Sequence, residues 1–168
     1  IQRIEKIGFS LKINPVYGNS IGCTGEPFCN YAVTLTKDKL KEILAALDER
    51  FGHRISPLRI HLDGCPHACA QHFTGDINLT GTTVRLGGGG KMEGYDILLR
   101  GGVGAKKAIA RPVFRRVRTD EVTAYLERLI AGWLDAKEEA QLEDRDLSFR
   151  EFCDDRTDEQ LQAIVVPE

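Results

Sequence analysis

Four of the five cysteines in this chain fall into two close pairs, Cys23-Thr-Gly-Glu-Pro-Phe-Cys29 and Cys65-Pro-His-Ala-Cys69. A separation of a few residues lets two thiolates converge on one centre, and soft sulfur donors select zinc or an iron–sulfur cluster. On the residues alone three readings stay open: a structural zinc site, a cluster, or core cysteines that are close by coincidence, since a free cysteine often behaves as a small buried hydrophobe. Four ligands suit zinc and a cubane cluster alike. Spacing says more, because zinc ribbons enclose two residues in each pair whereas these pairs enclose five and three. Cys153, beside Phe152, stands apart from both pairs.

The elements around the pairs have to hold them. Ile4, Ile7 and Gly8 read as the end of a helix, and the alternation Phe9-Ser-Leu-Lys-Ile13 as an extended piece. Pro15, Gly18 and Asn19 predict a turn that delivers Ser20-Ile-Gly22 into the first pair. Thr36 is placed to cap a helix whose stripe of Leu40, Ile43, Leu44 and Leu47 belongs in a core, ending near Phe51-Gly52. Leu58-Arg-Ile-His-Leu62 alternates as a strand with one buried face and runs straight into Asp63-Gly64-Cys65. Ligands delivered by a loop at a strand's carboxyl end are a common arrangement in α/β proteins.

Downstream, residues 76–80 and 82–86 read as two short strands separated by Gly81, and the glycines at 87–90 as a hairpin tip that lacks a phosphate-binding fingerprint. Tyr95-Asp-Ile-Leu-Leu-Arg100 is a strand ending in Gly101-Gly102-Val-Gly104. A short helix at 105–110 would aim backbone amides at an anion, and an ordinary tight turn would explain the same glycines. Residues 113–117 read as another strand. Thr119 is expected to cap a long amphipathic helix, with Asp120 and Glu121 in its first turn and Val122, Tyr125, Leu126, Leu129, Ile130 and Trp133 on its buried stripe. Residues 135–146 are an exposed continuation or linker. Two capping boxes, Ser148 with Glu151 and Thr157 with Gln160, open short helices that carry Phe149, Phe152, Leu161, Ile164 and Val165. The sum is an α/β (α+β) fold: a mixed sheet of about five strands with packed helices and a short helical tail.

Composition narrows the function classes. A chain of 168 residues supports one ordinary domain with a real core. With 42% hydrophobic and 29% charged residues and a net charge of −2, it reads as globular and soluble, with no global pull toward nucleic acid or a membrane surface. No apolar run approaches the ~20 residues that span a bilayer, and the N-terminus lacks a signal-peptide pattern. A cytoplasmic, reducing setting is expected, where paired cysteines serve as ligands more often than as disulfides. The chain begins at Ile1 without an initiator Met, as a processed or truncated piece of something longer would.

The residues also carry a family resemblance. Cys23-Thr-Gly-x-x-x-Cys29, the Thr36-Lys37 helix opening, and above all His61-Leu-Asp-Gly-Cys65-Pro-His-Ala-Cys69-Ala-Gln71-His72 followed by Gly75-Asp76-Ile77 resemble the sirohaem and iron–sulfur domain of the nitrite and sulfite reductases. Gly94-Tyr-Asp-Ile-Leu-Leu-Arg-Gly-Gly102 and Arg115-Arg116-Val117 are similar too, so the resemblance covers nearly the whole chain. It implies a [4Fe-4S] cluster held by Cys23, Cys29, Cys65 and Cys69, with Cys69 also the axial ligand to the sirohaem iron. A shared sulfur of that kind couples cluster and haem electronically, and the axial thiolate tunes the iron. It further implies Asn30, His67 and Gln71 as neighbours that donate to cluster sulfurs or sirohaem carboxylates. His67 stands where relatives often have Asn. His61 is expected to be structural; His53 and His72 carry no assignment.

The implied reaction reduces nitrite to ammonia or sulfite to sulfide, with a donor protein such as ferredoxin. Residues 1–134 would be the cofactor-binding domain, truncated on its N-terminal side, and 135–168 a linker and tail docked on it. The Arg and Lys residues that bind the anion in this family come largely from upstream of the first cysteine pair. The chain is therefore expected to be a carboxyl-terminal portion that is inactive alone and needs the missing N-terminal portion. Two rivals remain: a non-catalytic zinc or Fe–S electron-transfer module, and a related sirohaem-type enzyme of tetrapyrrole metabolism.

Overall fold

A computed structural model describes residues 2–8 and 13–166. The expected helix end at Gly8 is met by α1 (Gln2–Lys6), with Gly8 at φ +92° closing the turn. Most of the extended piece expected at 9–13 lies outside the described residues. The turn expected at Pro15 is instead a short helix, α2 (Pro15–Asn19). The correction has a local cause: Pro15 sits in the first turn, where its fixed φ suits a helix, and the Asn14 side chain accepts the Val16 amide as an N-cap.

Five strands form one mixed sheet in the order β1-β2-β3-β4-β5: Ile21–Gly22, Ile60–Asp63, Ile77–Arg85, Lys91–Leu99 and Arg111–Arg118. The pairs β1–β2 and β2–β3 are parallel and the pairs β3–β4 and β4–β5 antiparallel, so β4 alone runs against the other four. The crossover from β1 to β2 contains α3 (Lys37–Phe51), whose Leu40, Ile43, Leu44 and Leu47 enter the core as their spacing predicts. The helix α4 (Val122–Leu142) adds Leu126, Leu129, Ile130 and Trp133 to the same core.

Several local expectations are corrected. Strand β2 does not alternate between buried and exposed: all four residues are buried. Ile60 and Leu62 join the apolar core, while His61 and Asp63 are covered by the loop that follows the strand. The two strands expected on either side of Gly81 are one, with unbroken pairing from Ile77↔Leu99 to Arg85↔Lys91. Residues 105–110 are not a helix; a single 3-10 turn (Gly104–Lys106) lets the chain double back so that Gly102 and Ala108 exchange hydrogen bonds. Those bonds occupy the Gly102 amide that an anion would have needed. Thr119 does not cap α4, because its amide donates to Glu93 O and keeps it in the β4–β5 ladder. Glu121 takes the cap position without a side-chain bond.

Both capping boxes in the tail form as expected, opening α5 (Phe149–Asp154) and α6 (Asp158–Val165). Phe149, Phe152, Leu161 and Val165 are buried in the common core. Among the described residues no helix is long and apolar enough to cross a membrane.

Candidate metal centre

The parallel register of β1 and β2 creates the site. Ile21 pairs with His61 and Gly22 with Leu62, so Cys23 and Cys65 leave the sheet from the carboxyl ends of adjacent strands. The ladder runs one step further, with the Cys23 amide donating to Leu62 O at 3.0 Å. The two cysteine loops are then tied to each other. Gly64 donates its amide to Cys23 Sγ at 3.2 Å, and Val33 donates to Gly64 O at 2.9 Å. An amide aimed at a cysteine sulfur is the contact that tunes iron–sulfur ligands.

Small residues allow this approach. A Cβ on Gly81 would stand 2.5 Å from both Gly64 O and Thr34 Oγ1, so only glycine lets the second loop cross the face of β3. Gly25, at φ +66°, would place a Cβ 2.1 Å from Thr36 Oγ1. Thr36 precedes α3 as expected, yet its hydroxyl donates to Cys23 O at 2.7 Å instead of capping the helix. The cysteine loop has recruited the cap.

Cys23 and Cys29 are half-buried, Cys65 is buried and Cys69 is exposed. Burial pushes the Cys23 thiol up, with the Gly64 amide acting against it. Cys29 closes a turn in which its amide donates to Gly25 O at 3.0 Å. His67 Nδ1 lies 3.3 Å from Cys65 Sγ, and its ring meets Tyr31 edge-on. Asn30 and the Gln71 side chain are exposed. His61 is structural as expected: Nδ1–H donates to Gln71 O at 3.0 Å. Cys153 is buried in the core far along the chain, among the tail helices.

Asp63 and His72 were given no role by the sequence, and the structure joins them. Asp63 Oδ1 accepts the Ala70 amide at 2.8 Å and Oδ2 accepts His72 Nδ1–H at 2.9 Å. Burial alone pushes the Asp63 carboxyl up, but the bonds from His72 and Ala70 outweigh it and hold it below the usual range. The signal was present in the strand: polar His61 and Asp63 alternate with apolar Ile60 and Leu62, which puts both polar residues on the face opposite the core.

The donor set can be tested against the groups that four cysteines could hold. Among the described residues, no three His, Cys, Asp or Glu side chains converge as a single ion would require. A lone zinc needs all its thiolates within ~2.3 Å of one point. Four thiols on two adjacent loops, with the Gly64 amide aimed at Cys23 Sγ, are a donor set whose chemistry fits a cubane, which takes one thiolate per iron.

Residues 17–147 match the family described as "Nitrite and sulphite reductase 4Fe-4S domain". The chain is 32% identical over 122 residues to a ferredoxin–nitrite reductase of Leptolyngbya laminosa, covering 73% of this chain and 24% of that protein. It is 27% identical over 143 residues to a "Sulfite reductase [ferredoxin] 1" of Mycolicibacterium paratuberculosis, covering 82% of this chain and 26% of the relative. The chain thus spans about a quarter of the length of these relatives. The solved structure of the Mycobacterium tuberculosis NirA protein shares the fold, with a TM-score of 0.81 over 96% of this chain and 29% of that one at 22% identity. Two cysteine loops leaving neighbouring parallel strands, on a fold and a sequence that match over most of the chain, place the protein in the nitrite and sulfite reductase 4Fe-4S domain family.

Proposed function

We propose that this chain is the cofactor-bearing unit of a sirohaem-dependent nitrite or sulfite reductase, in which Cys23, Cys29, Cys65 and Cys69 hold a [4Fe-4S] cluster and Cys69 is shared with the sirohaem iron. The observation that carries the reading is the coupling of the two loops through Gly64, whose amide meets Cys23 Sγ while its carbonyl accepts Val33. The exposure of Cys69, in contrast to the other three, supports its facing a second group. When bound, the cluster and haem supply single-electron storage and a substrate-binding iron.

The chain's own residues do the rest. Gly64 donates its amide to Cys23 Sγ, which favours charge on that sulfur, and His67 Nδ1 stands beside Cys65 Sγ. Thr36, through Cys23 O, holds the first loop against the start of α3. A reduced oxyanion also requires positive charge and proton donors. That set is expected from polypeptide beyond this chain, consistent with a span of about a quarter of the relatives. The chain alone is therefore expected to be inactive with nitrite or sulfite, and a ferredoxin-type donor is its expected electron source.

The test is reconstitution with ferrous iron, sulfide and sirohaem, followed by iron, zinc and labile-sulfide analysis and visible spectra of the wild type, Cys23→Ser and Cys69→Ser. About four irons and four sulfides per chain are expected from the cluster, with a fifth iron from the sirohaem. Cys69→Ser should alter the haem bands, whereas Cys23→Ser should deplete iron and sulfide. One zinc per chain with no visible absorbance, or identical spectra for the two variants, would refute the division of roles.

A further inference from the structure

The backbone that carries Cys69 is under tension. Ala68, just before it, and Gln71, two residues after it, both adopt φ 57°. A residue with a Cβ resists this left-handed conformation, and such residues persist where their surroundings over-determine them. The surroundings here are three hydrogen bonds from one strand face. His61 reaches Gln71 O, and Asp63 takes the Ala70 amide with one oxygen and His72 with the other. Asp63 and His72 are 1% and 2% exposed. Phe73 packs its ring on His72 at 4.1 Å between centroids, closing the pair from outside.

We infer that Asp63 and His72 form a buried brace that fixes the backbone on the far side of Cys69 and so sets where its thiolate stands. The inference rests on the reading of Cys69 as a metal ligand. Both are positioning residues: Asp63 acts through the Ala70 amide, and His72 holds the second carboxylate oxygen so that the first stays aimed at that amide. Asp63 is also two residues before Cys65, so one carboxylate references both ends of the second cysteine pair to β2. An exposed thiolate has few packing contacts of its own, and a tether through its neighbour supplies the constraint that packing does not.

The experiment compares wild type, His72→Phe and His72→Asn, with circular dichroism to confirm folding. Asn presents its side-chain amide near the position of Nδ1 and can restore the donor to Asp63. In the metal-free chain, hydrogen exchange of the Ala70 amide should quicken several-fold in His72→Phe and return toward wild type in His72→Asn. After reconstitution with ferrous iron and sulfide, the electron paramagnetic resonance signal of the reduced cluster should broaden and its midpoint potential should shift in His72→Phe, with His72→Asn close to wild type. A folded His72→Phe with unchanged Ala70 exchange and an unchanged signal overturns the brace. If the wild-type chain takes up no cluster, the metal-centre reading fails, and the exchange measurement alone still decides whether the brace holds the loop. Should His72→Phe not fold, Asp63→Asn, which keeps the shape and changes the acceptor, is read by the same two measurements.

Discussion

The five cysteines are one residue type in distinct environments, and their reactivity should separate accordingly. Cys153 is buried among Phe149, Phe152 and α4, and burial pushes its thiol up to about 12 against the pull of Arg100. The thiolate is the reactive form, so Cys153 should be inert while the chain is folded. Treating the metal-free protein with iodoacetamide near pH 8 and mapping adducts by mass spectrometry should show Cys69 modified first and Cys153 only after unfolding. Equal labelling of Cys153 and Cys69 in the native chain would contradict the packing described here. At this scale the sequence showed the two cysteine pairs by their spacing, but not the unequal exposure of the thiols, because exposure depends on which loop covers which thiol.

Among the elements, α5 offers a clean electrostatic test. Glu151 closes the Ser148 capping box and pairs with Lys106 at 2.7 Å; Lys106 first and Ser148 second lower its carboxyl to about 2. A free glutamate titrates near ~4.3. A depressed folded value means that the stabilisation is fully present above that unfolded pKa and is lost as pH falls from about 4.3 toward 2. The group is exposed, so solvent screening keeps the contribution below about 1 kcal/mol. Glu151→Gln keeps an acceptor for the box and removes the charge. Its urea midpoint should lie slightly below wild type at pH 6, and the gap should shrink as pH falls from about 4.3 toward 2; a constant gap across that range would rule the ion pair out. Both capping boxes were legible in the sequence because their partners lie three residues apart. Thr36 and Thr119 had equally good local signals and were diverted, one to Cys23 O and the other to Glu93.

For the molecule as a whole, the tail is joined to the sheet by Arg100. This guanidinium, 5% exposed, donates to Cys153 O at 3.0 Å, Arg156 O at 2.8 Å and Asp158 Oδ1 at 2.6 Å. The same strand end leads to Gly101, where a Cβ would lie 2.3 Å from Gly75 O, so the tail anchor and the loop after Cys69 meet at one turn. Arg100→Ala should cost roughly 3 kcal/mol, near the low end for breaking a buried ion pair because Asp158 is partly exposed. Urea unfolding measures the loss, and limited proteolysis should cut between α4 and α5 faster than in wild type. A variant as stable and as protease-resistant as wild type would show that the tail is held by its apolar contacts alone.

The sequence by itself determined the two cysteine pairs, the fold class, the helix stripes and the capping boxes. Each is written in residue type and short spacing, where chemistry and backbone periodicity act locally. The tertiary structure decided that Gly81 lies within one continuous strand, that Thr36 serves a cysteine loop, and that Asp63 and His72 join behind Cys69. These depend on which strands become neighbours and on how closely their backbones approach. Parallel pairing of β1 with β2, some forty residues apart, is a long-range choice made by burying a common core, and no local pattern encodes it.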